Sequence, residues 1–176
     1  MCTETPMTKT LRALKMQDLP MVLAWRNHPT VRQWMFTQHE ITLEEHIRWF
    51  ESASQDARKH LLIFELNGAP QGCVNLNLDK LGKIADWGFY IAPDAVKGTG
   101  RLLGDAALRH SFEILGLHKL CGQVINHNQK SINFHLRLGF TNEGILHQQH
   151  FDGQQFADVY LFGMLASDWQ KTQDQQ

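Results

Sequence analysis

The chain has 176 residues, 17 Lys plus Arg against 18 Asp plus Glu, and a net charge of −1. This length fits one domain with a substantial core, residues 1–176, and the near-neutral charge excludes bulk attraction to nucleic acid. No apolar run approaches the ~20 residues of a membrane span, and the first residues lack a basic segment followed by an apolar one, so a cytoplasmic protein without membrane contact is expected.

In chain order, residues 1–8 and 170–176 read as polar tails and residues 9–14 as a first strand. Asp18 is placed to cap a helix through Trp25, with Pro20 in the first turn, where a missing N–H is tolerated. Pro29 stops that helix. Thr42-Leu43-Glu44-Glu45 fits a capping box, and the helix it opens sets Leu43, His46, Ile47 and Phe50 on one face. Residues 60–66 and 71–78 read as strands joined by Asn67-Gly68. In the second, Cys73, Asn75 and Asn77 point one way and Val74, Leu76 and Leu78 the other. Residues 84–92 form a fourth strand, ended by Pro93-Asp94. A helix then runs from Gly100 to about Leu115, followed by a strand at 119–125 and a helix at 129–138. Residues 142–151 and 156–165 make a hairpin over Asp152-Gly153. Helices follow strands while several strands are hairpin-linked, which predicts a mixed α/β domain.

Cys2, Cys73 and Cys121 are dispersed and none has zinc spacing, so reduced thiols are expected. The ten histidines do not cluster at ligand spacing, and no metal is expected. The chemistry concentrates elsewhere. Lys97-Gly98-Thr99-Gly100-Arg101 is a glycine-rich turn between a strand and a helix. Glycines let a ligand approach the backbone, and a helix start attracts phosphate through free N–H groups and its dipole. The turn lacks the Gly-Lys-Ser/Thr ending of a P-loop. Its preceding strands are hairpin-joined, which is not the dinucleotide-binding arrangement.

Downstream comes Asn128-Gln129-Lys130-Ser131-Ile132-Asn133-Phe134-His135-Leu136-Arg137-Leu138-Gly139-Phe140. Together the two segments resemble the Gcn5-related N-acetyltransferase (GNAT) superfamily. The resemblance implies a mostly antiparallel sheet flanked by helices, with splayed fourth and fifth strands. It also implies acetyl-coenzyme A as cosubstrate. The loop amides would hold the pyrophosphate and the pantetheine would lie between the splayed strands. The cofactor residues it implies are Phe89, Tyr90, Ile91, Val96, Lys97, Gly98, Thr99, Gly100, Arg101, Asn128, Ser131 and Asn133. Two departures stand out: Ala95 replaces the family's Gln or Arg, and His135 replaces the Tyr that protonates the leaving thiolate. Histidine can donate a proton near neutral pH. A histidine that only packs beside the cofactor is equally open.

The N-terminal half narrows the resemblance. Trp25-Arg26-Asn27-His28-Pro29, Val31-Arg32-Gln33-Trp34-Met35 and Ile41-Thr42-Leu43-Glu44-Glu45-His46 look like the acetyltransferases of pseudaminic acid biosynthesis, on the route to flagellin glycosylation. Those acetylate the 4-amine of a UDP-linked amino-dideoxy sugar. Arg26 and His46 match residues of their nucleotide pocket. Trp34 and Met35 are further substrate candidates, with Asn75 and Asn77 as sugar contacts. Asp86 is the candidate general base, and Gln123 falls where relatives can carry an acid. The alternatives are an acetyltransferase for protein N-termini or ribosomal proteins, and a coenzyme A-binding module without turnover.

Overall fold

The computed structural model describes residues 7–174. Cys2 and the first six residues of the expected N-terminal tail lie outside them. The elements are β1 (Lys9–Ala13), α1 (Leu19–Asn27), α2 (Pro29–Arg32), α3 (Leu43–Ser54), β2 (Lys59–Leu66), β3 (Ala69–Leu78) and β4 (Ile84–Ile91). They continue with α4 (Thr99–Arg109), β5 (Lys119–Ile125), α5 (Gln129–Leu138), β6 (Thr141–Phe151), β7 (Phe156–Leu165) and α6 (Ala166–Gln173). The strands form one seven-stranded sheet in the order β1-β2-β3-β4-β5-β7-β6. All neighbours are antiparallel except β4 and β5.

Both faces of the sheet are covered. Leu62, Phe64, Val74 and Leu76 pack with Leu103, Ala107 and Ile132 of α4 and α5. Leu61, Ile63 and Cys73 pack with Leu19, Val22, Trp25 and Ala53 of α1 and α3. β2 therefore shows four successive buried apolar residues where a half-exposed strand would alternate. The turn between β2 and β3 puts Asn67 at φ 52° and Gly68 at φ 77°, the twist a two-residue hairpin demands. The capping box forms as expected, with Thr42 Oγ accepting from the Glu45 N–H and the Glu45 carboxylate from the Thr42 N–H.

Two expectations are corrected. Asp18 does not cap α1. It already has helical dihedrals (φ −82°, ψ −17°), so its side chain makes no bond to the first turn of α1. Its carboxylate instead accepts from Arg12 at 2.7 and 3.0 Å and from the Lys15 N–H at 2.9 Å. The tail expected at 170–176 is helical as far as Gln173, because Trp169 anchors α6 with its ring 5.4 Å from Phe112. The helix expected from Gly100 to about Leu115 is present, α-helical from Thr99 to Arg109 and finishing as a π-helical turn, His110–Ile114.

Arg12 also donates to Glu65 at 2.6 Å, so one guanidinium joins β1, β2 and the entry to α1. Its bonds hold the Asp18 carboxyl below the ordinary aspartate range. An acid depressed in the folded state adds stability above its unfolded pKa, and that stability is lost as pH falls through the folded value. Asp18→Asn is expected to melt lower at neutral pH and to lose less on acidification than the wild type. Parallel melting curves across the acid range would show that the network contributes nothing.

The position that matters most for function is the β4–β5 junction. Their parallel register covers only Ile84↔Lys119, Ala85↔Leu120 and Asp86↔Cys121. Beyond Asp86 and Cys121 the two strands part. β4 stays paired to β3 and β5 to β7, so each keeps one unpaired edge facing the gap.

Candidate active site

The glycine-rich turn follows β4 and leads into α4, with Gly100 close to Ile91 at the end of that strand. Gly98 is the N-cap of α4 at φ +94°, a left-handed conformation that glycine adopts without steric cost. No side chain caps α4, which leaves its positive end open to an anion. A Cβ on Gly100 would lie 3.0 Å from Ile91 Cδ1 and 3.8 Å from Phe134 Cε2. Gly98, Gly100 and Arg101 border a groove of about 940 Å³ shared with Phe134 and Arg137. Thr99 is only 2% exposed, and its hydroxyl donates to the Val96 carbonyl at 2.6 Å. Thr99 thus shapes the loop. The Val96 side chain points into the open, 65% exposed. Neither Val96, Lys97 nor Thr99 borders this groove or the cleft described next.

Where β4 and β5 part lies a cleft of about 820 Å³. It brings together Trp34, Met35, Asn75, Asn77, Asp86, Phe89, Tyr90, Ile91, Asn128, Ser131, Asn133 and His135 from four separate stretches of sequence. On the α1/α3 side, Asp86 stands opposite Asn77 and Gly88 opposite Asn75. Nothing lies within 4 Å of where a Gly88 Cβ would be, so this face has room for a ligand beside the carboxylate. Desolvation raises the Asp86 pKa above the ordinary value. Gln123 borders the same cleft as a neutral amide, so Asp86 is the single carboxylate among the described residues that line it.

Asn128 caps α5 by accepting from the Ser131 N–H at 3.1 Å. One turn on, His135 is 2% exposed and both its ring nitrogens are engaged. Nδ1 lies 2.8 Å from the Ser131 carbonyl and Nε2 lies 3.1 Å from Trp87 Nε1. Burial lowers its pKa. A proton-donor role would require the Trp87 bond to be given up. Trp87 was not singled out in the sequence. It lies on the core face of β4, and no local pattern signals a hydrogen bond to a residue 48 positions away.

Arg26 and His46 do not line the cleft. Arg26 donates through Nη2 to the Thr37 carbonyl at 2.6 Å, just past the Trp34–Phe36 stretch that does line it. Arg26 Nη1 and His46 Nε2 are buried with no hydrogen-bond partner among the described residues. Burial, then the Arg26 charge, depresses His46, whose ring stacks on Trp49 at 5.1 Å. Asn27, unremarked in the sequence beyond its motif, clamps the same loop. Its amide donates to the Ile41 carbonyl at 2.7 Å and accepts from the Ile41 N–H at 2.9 Å. The signal available was an Asn at a helix end, a residue type that readily binds nearby backbone.

Neither described cysteine offers a ready thiolate. Cys73 is 1% exposed and burial pushes its thiol up to about 12. Burial also raises Cys121. Among the described residues no group of His, Cys, Asp and Glu is arranged to hold a metal ion, and no helix is long and apolar enough to cross a membrane.

A family model for an acetyltransferase (GNAT) domain matches residues 9–141, which span the loop, the parted strands and α5. The chain belongs to the GNAT acetyltransferase family. It is 31% identical over 134 residues to acetyltransferase PseH of Campylobacter jejuni, covering 76% of this chain and 83% of that one. It is 28% identical over 161 residues to the spermidine N(1)-acetyltransferase of Vibrio cholerae, covering 90% and 93%. Among solved structures, the Vibrio cholerae spermidine N-acetyltransferase in complex with CoA and spermine superposes with a TM-score of 0.85 at 27% identity, over 92% of this chain and 98% of that one. The GNAT fold read from the sequence is thus the fold of the chain, and the chain is an N-acetyltransferase.

Proposed function

We propose that this acetyltransferase moves the acetyl group of acetyl-coenzyme A to the amine of a nucleotide-linked amino sugar, the 4-amine of a UDP-linked amino-dideoxy sugar as in pseudaminic acid biosynthesis. The observation that carries the acceptor class is the charge of the cleft. A polyamine carries several positive charges, and Asp86 is the single carboxylate among the described residues lining the site. The positive charge of Arg26, buried behind the Trp34–Phe36 stretch that lines the cleft, suits a diphosphate better than a cation. The similarity to PseH points the same way.

The residues fit acetyl-coenzyme A as cosubstrate. The left-handed Gly98 and the uncapped start of α4, with Lys97 and Arg101, present backbone and charge to a pyrophosphate. The free edges of β4 and β5 offer N–H and C=O groups to an extended amide chain, in the manner of an added strand. Phe89, Tyr90 and Ile91 flank that chain, and Asn128, Ser131 and Asn133 border it from α5. Trp34 and Met35 cover the acceptor, with Asn75 and Asn77 placed to bond its hydroxyl or amide groups. Asp86 accepts the proton that the attacking amine sheds. Transfer is direct, since neither cysteine supplies a thiolate to carry the acetyl group, and most of the acceleration comes from holding amine and thioester together.

The test is thiol release from acetyl-coenzyme A with a UDP-linked 4-amino sugar, spermidine and an N-terminal peptide as competing acceptors. Spermidine is the second reading, favoured by end-to-end similarity to spermidine acetyltransferases. A higher kcat/KM for spermidine than for the sugar would replace the proposal. Arg26→Ala and His46→Ala are expected to raise KM for the nucleotide sugar and leave KM for acetyl-coenzyme A near wild type. Both groups lie behind the cleft, so the effect acts through the Trp34–Thr37 stretch that Arg26 holds and through the loss of its positive charge. Equal effects on both substrates would assign the pair to structure alone.

A further inference from the structure

His135 has a proton inventory that its partners fix. The Ser131 carbonyl can only accept, so Nδ1 carries the hydrogen. The Trp87 indole can only donate, so Nε2 carries none. The ring sits among Phe162 at 4.9 Å, Phe140 at 5.1 Å, Trp87 at 5.5 Å and Phe89 at 5.9 Å. The groups that face it from β4, β5, β7 and its own helix α5 are Trp87, Phe89, Gly122, Phe162, Ser131 and Phe134, and none of them titrates.

The place of this pair in the fold is specific. Asp86 and Cys121 form the last pair between β4 and β5, so Trp87 and Gly122 are the first positions after the strands part. A Cβ on Gly122 would lie 2.6 Å from His135 Nε2 and 2.9 Å from Trp87 Nε1. The hydrogen bond therefore lies directly over the β5 backbone at the fork. It joins β4 to the turn of α5 that presents Asn128 and Ser131 to the cleft.

We propose that His135 is a positioning residue: the Ser131–His135–Trp87 chain, seated on Gly122, pins α5 to the fork of β4 and β5 and so sets the opening of the acetyl-transfer cleft. The proposal rests on the acetyl-transfer reading above and changes one step of it. As the C–N bond forms, the C–S bond breaks and its electron pair leaves with sulfur. The amine proton passes to Asp86. The thiolate takes its proton from water, which is undemanding for a thiol of ordinary pKa, about 8.5. A charged His135 would set two N–H groups against each other and strand the buried indole N–H, which opposes any role as the acid.

Two measurements decide it. The ring nitrogens of His135 in the wild-type protein, followed by ¹⁵N NMR, are expected to show one protonated Nδ1 and one bare Nε2 from about pH 5.5 to about pH 8. An imidazolium or an Nε2–H tautomer at neutral pH overturns the proposal, whatever acceptor the enzyme uses. In steady-state kinetics His135→Phe and Trp87→Phe are each expected to lower kcat by about 10- to 100-fold through misplacement. Combining them adds nothing further, because they remove one bond. His135→Gln, which keeps an acceptor for the indole but cannot titrate, recovers most of the loss with an unaltered pH profile. A His135→Gln enzyme as slow as His135→Phe and lacking the alkaline limb, with Trp87→Phe at wild-type rate or above, restores His135 as the acid. Absence of thiol release by the wild type with every amine would sink the acetyl-transfer reading, and the nitrogen spectrum would still decide the pair.

Discussion

Asp86→Asn is expected to lower kcat by about 10²–10⁴-fold, the usual span for loss of a general base. KM for acetyl-coenzyme A should stay near wild type, because Asp86 lies on the face with Asn75 and Asn77, the side proposed above for the acceptor. The pH profile gives a sharper check. The base works as the carboxylate, so wild-type kcat falls as pH drops through the raised Asp86 value, and the variant loses that limb. Stability should move the opposite way from activity. Desolvation disfavours the ionised carboxyl in the folded state, so its cost to stability is present above the folded pKa. Removing the charge should leave the melting temperature at neutral pH equal or higher. A variant that is slow because it melts early, or one that keeps its rate and acid limb, would take Asp86 out of the reaction.

Gly98→Val and Gly100→Val are expected to abolish the stabilisation that acetyl-coenzyme A confers. At 100 times Kd a ligand adds about 2.7 kcal/mol, a shift easily read in a thermal melt. The two substitutions fail for different reasons. Gly98 has nothing within 4 Å of its Cβ position, and its difficulty is φ +94°, which a β-branched residue does not adopt without strain. Gly100 has ordinary helical space apart from the tip of Ile91, so its side chain would stand in the ligand's approach. Gly100→Ala is the milder control. Its single methyl needs only a small shift of Ile91, so the melting temperature without ligand should hold while the ligand-induced shift shrinks. Full ligand-induced shifts in both valine variants would move the coenzyme to another part of the molecule.

Much of the framework was legible because it rests on local chemistry. The capping box at Thr42 and Glu45, the Asn67-Gly68 hairpin and the helix from Gln129 to the left-handed Gly139 are each specified by a few neighbouring residues. The alternation of β3 likewise put Asn75 and Asn77 on one face and Val74 and Leu76 in the core. The glycine-rich turn and the Asn128 to Phe140 segment carried the family, and with it the parting of β4 and β5.

Tertiary structure decided what depends on distant partners. Asp18 looked like a helix cap until Arg12 claimed its carboxylate across the chain entry. A polar-looking C-terminus became helix because one tryptophan found Phe112. Arg26 and His46 proved to lie behind the cleft, a placement set by how α1 and α3 dock on the sheet and not by their motifs. His135 shows the reason most plainly. Its residue type allows proton donation, and its position in the motif invites it. Which nitrogen holds the proton is set by Trp87 and by the Gly122 backbone, brought beneath it only when the sheet forks. Sequence determines the inventory of groups and the elements that carry them. Protonation states and contacts depend on burial and on neighbours remote in the chain, which exist only once the fold has formed.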